Sequence, residues 1–293
     1  MIAAGACYGI HWYRHRFVRS NADLIAFLPG GNGARVFADV ALLRSAGLLD
    51  SFAKGKLGED PEYKHFEEET HFDYRRDLDA IGGSLEGERA SFLLRGRFDR
   101  RELWKYAAAR GGSCTTDWCR MPSITPGRWA SFALPQPDLL ALAVGPKPSD
   151  PEARFEFEAG GSYTSPSADP VWIELAQNML RQPADLPLPV QIFAISVQSA
   201  NPVILSLGAA GPGQPGAFLL KLDARFLNAA AADTVRKQLE RDTKAFSVAL
   251  GTQVQGPDRK EFTGLLASGI FQAADRHILG RWLVRPELLH ALE

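Results

Sequence analysis

Two distant stretches of this chain read alike, and that echo limits its fold more than any other feature. LLRGRFDRRELWKYA at 93–107 and ILGRWLVRPELLHAL at 278–292 each run a strand into Gly-Arg-aromatic and then open a helix with Arg-x-Glu-Leu. The repeated structural motif is Gly96-Arg97-Phe98 in one copy and Gly280-Arg281-Trp282 in the other. LLKLDARFLNAAAADTVRKQL at 219–239 is a looser third instance. Self-similarity on this scale is the mark of a supersecondary unit used more than once. The stretches ahead of the two main copies, IGGSLEGERASF and LLASGIFQAADRHI, both read as hairpins. Hairpins require antiparallel pairing, and the helices follow in blocks rather than alternating with strands. The expected class is therefore α+β: two related domains produced by internal duplication, each an antiparallel sheet with helices on one face.

The boundaries follow from composition. Residues 145–170, GPKPSDPEARFEFEAGGSYTSPSADP, are dense in Pro, Gly and Ser, as a connection between domains is. This gives an N-terminal segment over 1–21, a first domain over 22–165 and a second over 166–293. In the first, LIAFLP is expected to be extended, and after the GGNG turn ARVFADV is a strand. ALLRSAGLLDSFA is helical in spacing, and the next helix starts with Asp60 as N-cap and Pro61 in its first turn. A hairpin turning near Glu86-Gly87-Glu88 leads into a helix capped by Asp99 and stopped by Gly111 and Gly112. WASFALP and DLLALAV are strands. In the second domain VWIEL, QIFAISV, PVILSLGAA and AFLLKLDARF are expected strands, AQNML a short helix and AAAADTVRKQLERDTKAFSVALG the longest helix. GPGQPG at 211–216 is a loop.

Composition narrows function mainly by exclusion. With 45% apolar and 23% charged residues the chain is an ordinary folded protein, and its net charge of -1 supplies no field for phosphate backbones, so nucleic acid is excluded as a partner. Residues 2–13, IAAGACYGIHWY, are mostly apolar and are followed by Arg14, Arg16 and Arg19. The run is shorter than the ~20 residues a spanning helix needs. It reads either as part of a truncated anchor or as an apolar tail docked on the body. Cys7 is a poor lipid-attachment match because no leader precedes it.

The chemistry-bearing residues are few. Cys114 and Cys119 lie either side of Thr115-Thr116-Asp117-Trp118, a turn-compatible segment through its Asp. The readings are a disulfide, two free thiols or part of a metal site. The disulfide ranks first, because zinc needs two further ligands and no second cysteine pair exists. HFEEETH puts His65 and Glu69 on one helical face, beside Glu68 and ahead of His71, and the choice there is between a metal pair and a solvated acidic face. Ser51 and Lys54 form a Ser-x-x-Lys without the companion motifs of serine acyl enzymes, and Ser84 stands near a hairpin turn without a G-x-S-x-G elbow. GGNG and GPGQPG lack the continuation of a phosphate loop. Arg97 and Arg281 hold either an anion or a structural ion pair. Trp104, Trp118, Trp129, Trp172 and Trp282 are read as packing. No catalytic, cofactor-binding or metal residue is assigned, and no cofactor is expected.

Taken together, DPEYKHFEEETHFDYRRDLD, the Cys114 to Cys119 segment running into TPGRW, PVWIEL and GIFQAADRHILGRWLVRPELL resemble a bacterial, Acidobacteria-type family of membrane-anchored two-domain α+β proteins with no assigned activity. The likeness spans nearly the whole chain from about residue 22. It implies an N-terminal anchor and a body on the periplasmic side, and it carries over no catalytic residue. His71 departs from the family pattern, which has a glycine there. The expected role is that of a non-enzymatic extracytoplasmic interaction or structural protein. Its partner would be a protein or envelope component, with a membrane tether through the N-terminus. The alternatives are small-molecule or lipid binding in a groove between the halves and, third, a hydrolase built on Ser51 and Lys54 or on His65 and Glu69.

Overall fold

The structure, a computed structural model, describes residues 18, 20–29, 33–49, 60–151, 155, 163–181, 188–211, 217–253 and 262–284. The expectations placed on the N-terminal apolar run with Cys7, on Ser51 and Lys54, on most of GPGQPG and on the helix from 285 lie outside the described residues. The chain divides into two units, one of Met1–Arg44 with Glu59–Pro166 and the other of Ser45–Gly58 with Ser167–Glu293.

The first described element of the first unit is a helix, α1 (Asn21–Ala26), where the sequence reading expected extended chain. The Ser20 hydroxyl accepts the Asp23 N–H, and the Asp23 carboxylate accepts the Ser20 N–H in return, a reciprocal cap that starts the helix. Next come β1 (Ala34–Asp39), α2 (Val40–Ser45), α3 (Pro61–Thr70), α4 (Tyr74–Asp77), β2 (Leu78–Glu86) and β3 (Arg89–Gly96). They are followed by α5 (Arg100–Ala109), β4 (Ser113–Cys114), β5 (Trp118–Pro122), β6 (Trp129–Gln136) and β7 (Leu139–Gly145). The local signals act as expected. The Asp60 carboxylate accepts the Glu62 and Tyr63 N–H groups with Pro61 at the first turn, and Asp99 accepts those of Arg101 and Glu102. Gly87 takes φ +56 in the β2–β3 turn, which closes the pair Glu86 and Arg89.

α3 ends on His71, which sits in the left-handed region at φ 58 and donates its N–H to the Glu67 carbonyl. A residue with a Cβ is strained there, and glycine is the usual occupant. His71→Gly is therefore expected to stabilise the first unit by about 0.5 kcal/mol, after allowing for the extra freedom of glycine in the unfolded chain. Urea unfolding of the two proteins checks this.

The strand order is β1-β2-β3-β7-β6-β5-β4, antiparallel throughout. Register puts Val36, Gly83, Phe92, Leu142, Phe132 and Cys119 in one row across the sheet. α5 covers this face, with Leu103 and Ala107 packed on Cys119 and Phe132, and Phe66 of α3 and Trp104 fill in around them. The opposite face is covered too. Gly82, Leu93, Ala141 and Ala133 form a row there, and a Cβ at Gly82 would stand 2.2 Å from the end of the Leu24 side chain of α1. Helices thus cover both faces of this sheet, not one, because α1 exists and a glycine lets it approach.

The start of α5 is tied to β2 through Asp77. Its carboxylate accepts from Arg76, from Arg97 at 3.0 Å and from the Asp73 N–H. The Arg76 guanidinium, acting against burial and helped by the Asp73 N–H, holds the Asp77 carboxyl below the usual carboxylate range. A carboxyl depressed in the folded state contributes stability that is present above its unfolded value, near 4, and is lost as pH falls through its folded value. Asp77→Asn should therefore flatten the loss of stability below about pH 4. Urea midpoints taken across the acid range would show it, and an unchanged acid slope would remove Asp77 from the account.

The second unit contains β8 (Val171–Leu175), α6 (Gln177–Arg181), α7 (Leu188–Val197), β9 (Val203–Ala209), β10 (Phe218–Arg225), α8 (Ala229–Gln253), α9 (Phe262–Leu266), β11 (Ile270–Ala274) and β12 (His277–Val284). QIFAISV, expected as a strand, lies in α7. Its β-branched residues suggest a strand, but Phe193, Ala194 and Val197 are the buried ones, a helical spacing. The antiparallel order is β8-β9-β10-β12-β11. One face carries the core: Phe271, Trp282 and Phe193 form an aromatic cluster that Phe246 of α8 joins by stacking on Phe193. On the other face Leu279 and Arg281 of β12 are exposed, while Trp172, Ser206 and Ile204 of β8 and β9 are buried.

Both units share a connectivity. Three consecutive strands lie side by side, a helix (α5 or α8) leaves the third, and the last described strand of the unit returns to pair with that third strand. The loose 219–239 stretch, β10 into α8, therefore occupies the place of β3 into α5. The closer-looking 278–284 stretch is β12, which occupies the place of β7. Gly96-Arg97-Phe98 follows or ends its strand, whereas Gly280-Arg281-Trp282 lies inside one. They are not equivalent positions, and their likeness has two physical origins. At Gly96 the Asp77 carbonyl approaches too closely for a side chain. At Gly280 the ring of Trp282 lies over the bare backbone.

Candidate functional site

The cysteine pair forms a disulfide. Cys114 and Cys119 are directly opposite each other on β4 and β5, with Cα atoms 4.0 Å apart. Thr115 donates its N–H to the Trp118 carbonyl at 2.8 Å, which makes the cysteines the close, non-hydrogen-bonded pair of the ladder. The bond ends the apolar row of the first sheet, with Cys119 fully buried. The turn it closes is also held from α5, where the Trp104 indole N–H donates to the Thr115 carbonyl at 3.2 Å, and the Arg100 guanidinium lies over the Trp104 ring and donates to the Thr116 carbonyl.

The other sequence candidates do not converge. His65 Nε2 and Glu69 Oε1 are 3.5 Å apart on the partly exposed face of α3. Among the described residues no group of three His, Cys, Asp or Glu side chains is placed to hold a metal. Ser84 lies within β2, directly opposite Ser91 of β3 and Arg35 of β1, and among the described residues no hydrogen bond joins it to a His, Lys, Asp or Glu side chain. Arg97 makes the structural ion pair with Asp77, while Arg281 is exposed on β12 of the second sheet, opposite Lys221 on β10. Trp172 and Trp282 are buried, as the packing reading expects.

Two polar clusters were not foreseen. In the second unit Asp169 accepts from Lys221 Nζ at 2.8 Å and from the Ser206 hydroxyl at 2.6 Å. Burial pushes its carboxyl up, but Lys221 and the Ser206 and Ser167 hydroxyls together hold it below the usual range. Gly208 leaves room for this carboxylate, since a Cβ there would fall 2.5 Å from it. The cluster is closed on itself: each charge has its partner, and it needs no ligand.

The second is open. Ala-Ser-Phe occurs at 90–92 on β3 and again at 130–132 on β6, and register sets the two copies on either side of β7. Phe92 and Phe132 flank Leu142 on the α5 side, so Ser91 and Ser131 flank Ala143 on the other. Ser131 is satisfied, its hydroxyl accepting the Ser149 N–H at 3.4 Å. Ser91 is buried to 8% exposure and faces a cleft of about 320 Å³ bounded also by Arg89, Lys147, Pro148 and Ser149. That volume is at the small end of the range for ligand sites. Among the described residues nothing pairs with the Arg89 guanidinium, the Lys147 ammonium or the Ser91 hydroxyl. The sequence signal that marks this site is the repeated Ala-Ser-Phe, which means little until β7 is seen to run between the copies. The sequence reading looked for a groove between the two halves; this cleft belongs to one unit alone.

No helix among the described residues is long and apolar enough to cross a membrane. No family model matches the chain. No curated protein matches it. Among solved structures it is similar to three crystal forms of TP0453. Form I is 12% identical over 94% of this chain and 98% of that one, with a TM-score of 0.46. Form III is 11% identical over 92% and 96%, with a TM-score of 0.48. Form IV is 10% identical over 96% and 98%, with a TM-score of 0.43.

Proposed function

We propose that the protein is a non-enzymatic binding protein that works outside the cytoplasm, tethered to a membrane through its N-terminal segment as the family likeness implies. The observation that carries the binding role is the open cleft in the first unit. Two exposed cations and a serine hydroxyl, none of them paired among the described residues, line one concave site, the kind of convergent polar set that holds a ligand. The disulfide supports the compartment, since such bonds persist where thiols are not kept reduced. The common connectivity of the two units supports descent from one duplicated unit.

Two measurements test this reading. Alkylation of unreduced protein taken from its own cells should leave the Cys114 to Cys119 peptide unlabelled and two hydrogens lighter than the dithiol. Two labels would move the protein to a reducing compartment. For binding, thermal unfolding against a panel of small polar molecules should find at least one that stabilises the protein, by ~2.7 kcal/mol at a hundredfold excess over its Kd. Ser149→Trp, which fills the cleft from its rim, should abolish that shift. A panel without any hit, or hits indifferent to Ser149→Trp, would end the binding reading.

A further inference from the structure

We infer that the cleft of the first unit takes a ligand bearing a phosphate monoester, gripped by Arg89 and Lys147 and seated on the Ser91 hydroxyl. The inference rests on the binding reading above and names the chemistry of its ligand.

The polar groups at the cleft are of one kind. Arg89, at the first position of β3, and Lys147, two residues past β7, stand at its rim, and both are exposed. The Arg89 stem runs beside the bare backbone of Gly145, its Cγ 3.6 Å from where a Cβ would stand, so the side chain lies along the wall of the cleft. Ser91 and Ser149 add hydroxyls that can donate. Among the described residues no carboxylate lines the cleft, and Asp150, next in sequence after Ser149, is not among the lining residues. A guanidinium fork, an ammonium and hydroxyl donors form a set that matches an oxyanion with several acceptor oxygens. Two cations match the double charge that a phosphate monoester carries near neutral pH, where its second proton leaves around pH 6.

The alternative for two rim cations is plain solvation. It does not account for Ser91, which lines the same cleft with its hydroxyl unpaired among the described residues, where an alanine would have packed as well. Among the described residues nothing pairs with Arg89 or Lys147, so removing their charges should leave the unfolding midpoint unchanged and make them clean probes of binding.

The test is a titration of the full chain with phenyl phosphate, followed by phosphorus and proton NMR, with phenol as the uncharged control. Wild type is expected to bind phenyl phosphate saturably at one site. Arg89→Gln and Lys147→Gln should each weaken it about tenfold, and Ser91→Ala by about threefold. Equal binding by the Arg89→Gln, Lys147→Gln double variant would overturn the inference. So would phenol binding as tightly as phenyl phosphate; if Ser149→Trp then removed both, the cleft would still be a ligand site and only its proposed chemistry would fail. Absence of any phenyl phosphate binding also overturns it when phosphatidic acid vesicles are not bound either. Binding to vesicles of phosphatidylcholine with phosphatidic acid, but not to phosphatidylcholine alone or to the soluble ester, would identify a lipid headgroup as the source. Binding of the soluble ester would identify a free phosphorylated molecule.

Discussion

Leu24→Ala is expected to destabilise the first unit by about 3 kcal/mol, although the helix carrying Leu24 is only six residues long. A helix of that length has little stability of its own, so what holds it is packing. Leu24 is fully buried, and its side chain rests on the backbone of Gly82 in β2. Gly82→Ala attacks the same contact from the other side: the new methyl would meet Leu24 Cδ2 at 2.2 Å, closer than any real contact, at a cost of about 2 kcal/mol. The two changes should not add. In the double variant the shortened Leu24 leaves space for the methyl at position 82, and the combined cost should fall short of the sum by at least about 1 kcal/mol. Urea unfolding of the four proteins completes the cycle, and hydrogen exchange at β2 amides localises the effect. Additive costs would mean that α1 does not pack on this face.

What could be read from the sequence was what is decided within a few residues. Asp60 before Pro61, Asp99 ahead of α5 and Gly87 in a hairpin turn are local devices, and each works as its residue type dictates. The cysteine pair belongs with them, because a turn between two adjacent short strands brings close residues face to face. α1 was missed because Asp23 replaces the usual Glu or Gln in its cap. α7 was missed because its isoleucines and valine carry a strand preference that the spacing of its buried residues overrides. The cleft was invisible for a different reason. Ser91 is one serine among many until three strands are aligned, and only their register sets it in a cleft with an arginine and a lysine. Sites made by long-range pairing leave no contiguous signature.

The two Gly-Arg-aromatic stretches should give unequal results when their glycines are replaced. At Gly96 a Cβ would stand 2.3 Å from the Asp77 carbonyl oxygen and 3.1 Å from Leu78 Cα. Both are backbone atoms at the junction of α4 and β2, fixed by the Asp77 ion pairs and by the Arg97 N–H donated to the same carbonyl. Backbone there cannot yield without breaking that junction, so Gly96→Ala should cost about 3 kcal/mol. At Gly280 the nearest atoms are in the Trp282 ring at 3.0 Å and Leu222 Cβ at 3.1 Å. A side chain can move by a few tenths of an ångström, and the second unit should lose only about 1 kcal/mol. Thermal unfolding of Gly96→Ala and Gly280→Ala, each against wild type, decides the matter. A difference of this size means that the likeness of 96–98 to 280–282 reflects two separate needs for a bare backbone: a carbonyl's close approach in one unit, an indole's resting place in the other. Equal costs would instead mean that the Trp282 ring cannot yield to a new methyl any more than the backbone at Asp77 can, and the side-chain account of Gly280 would have to be given up.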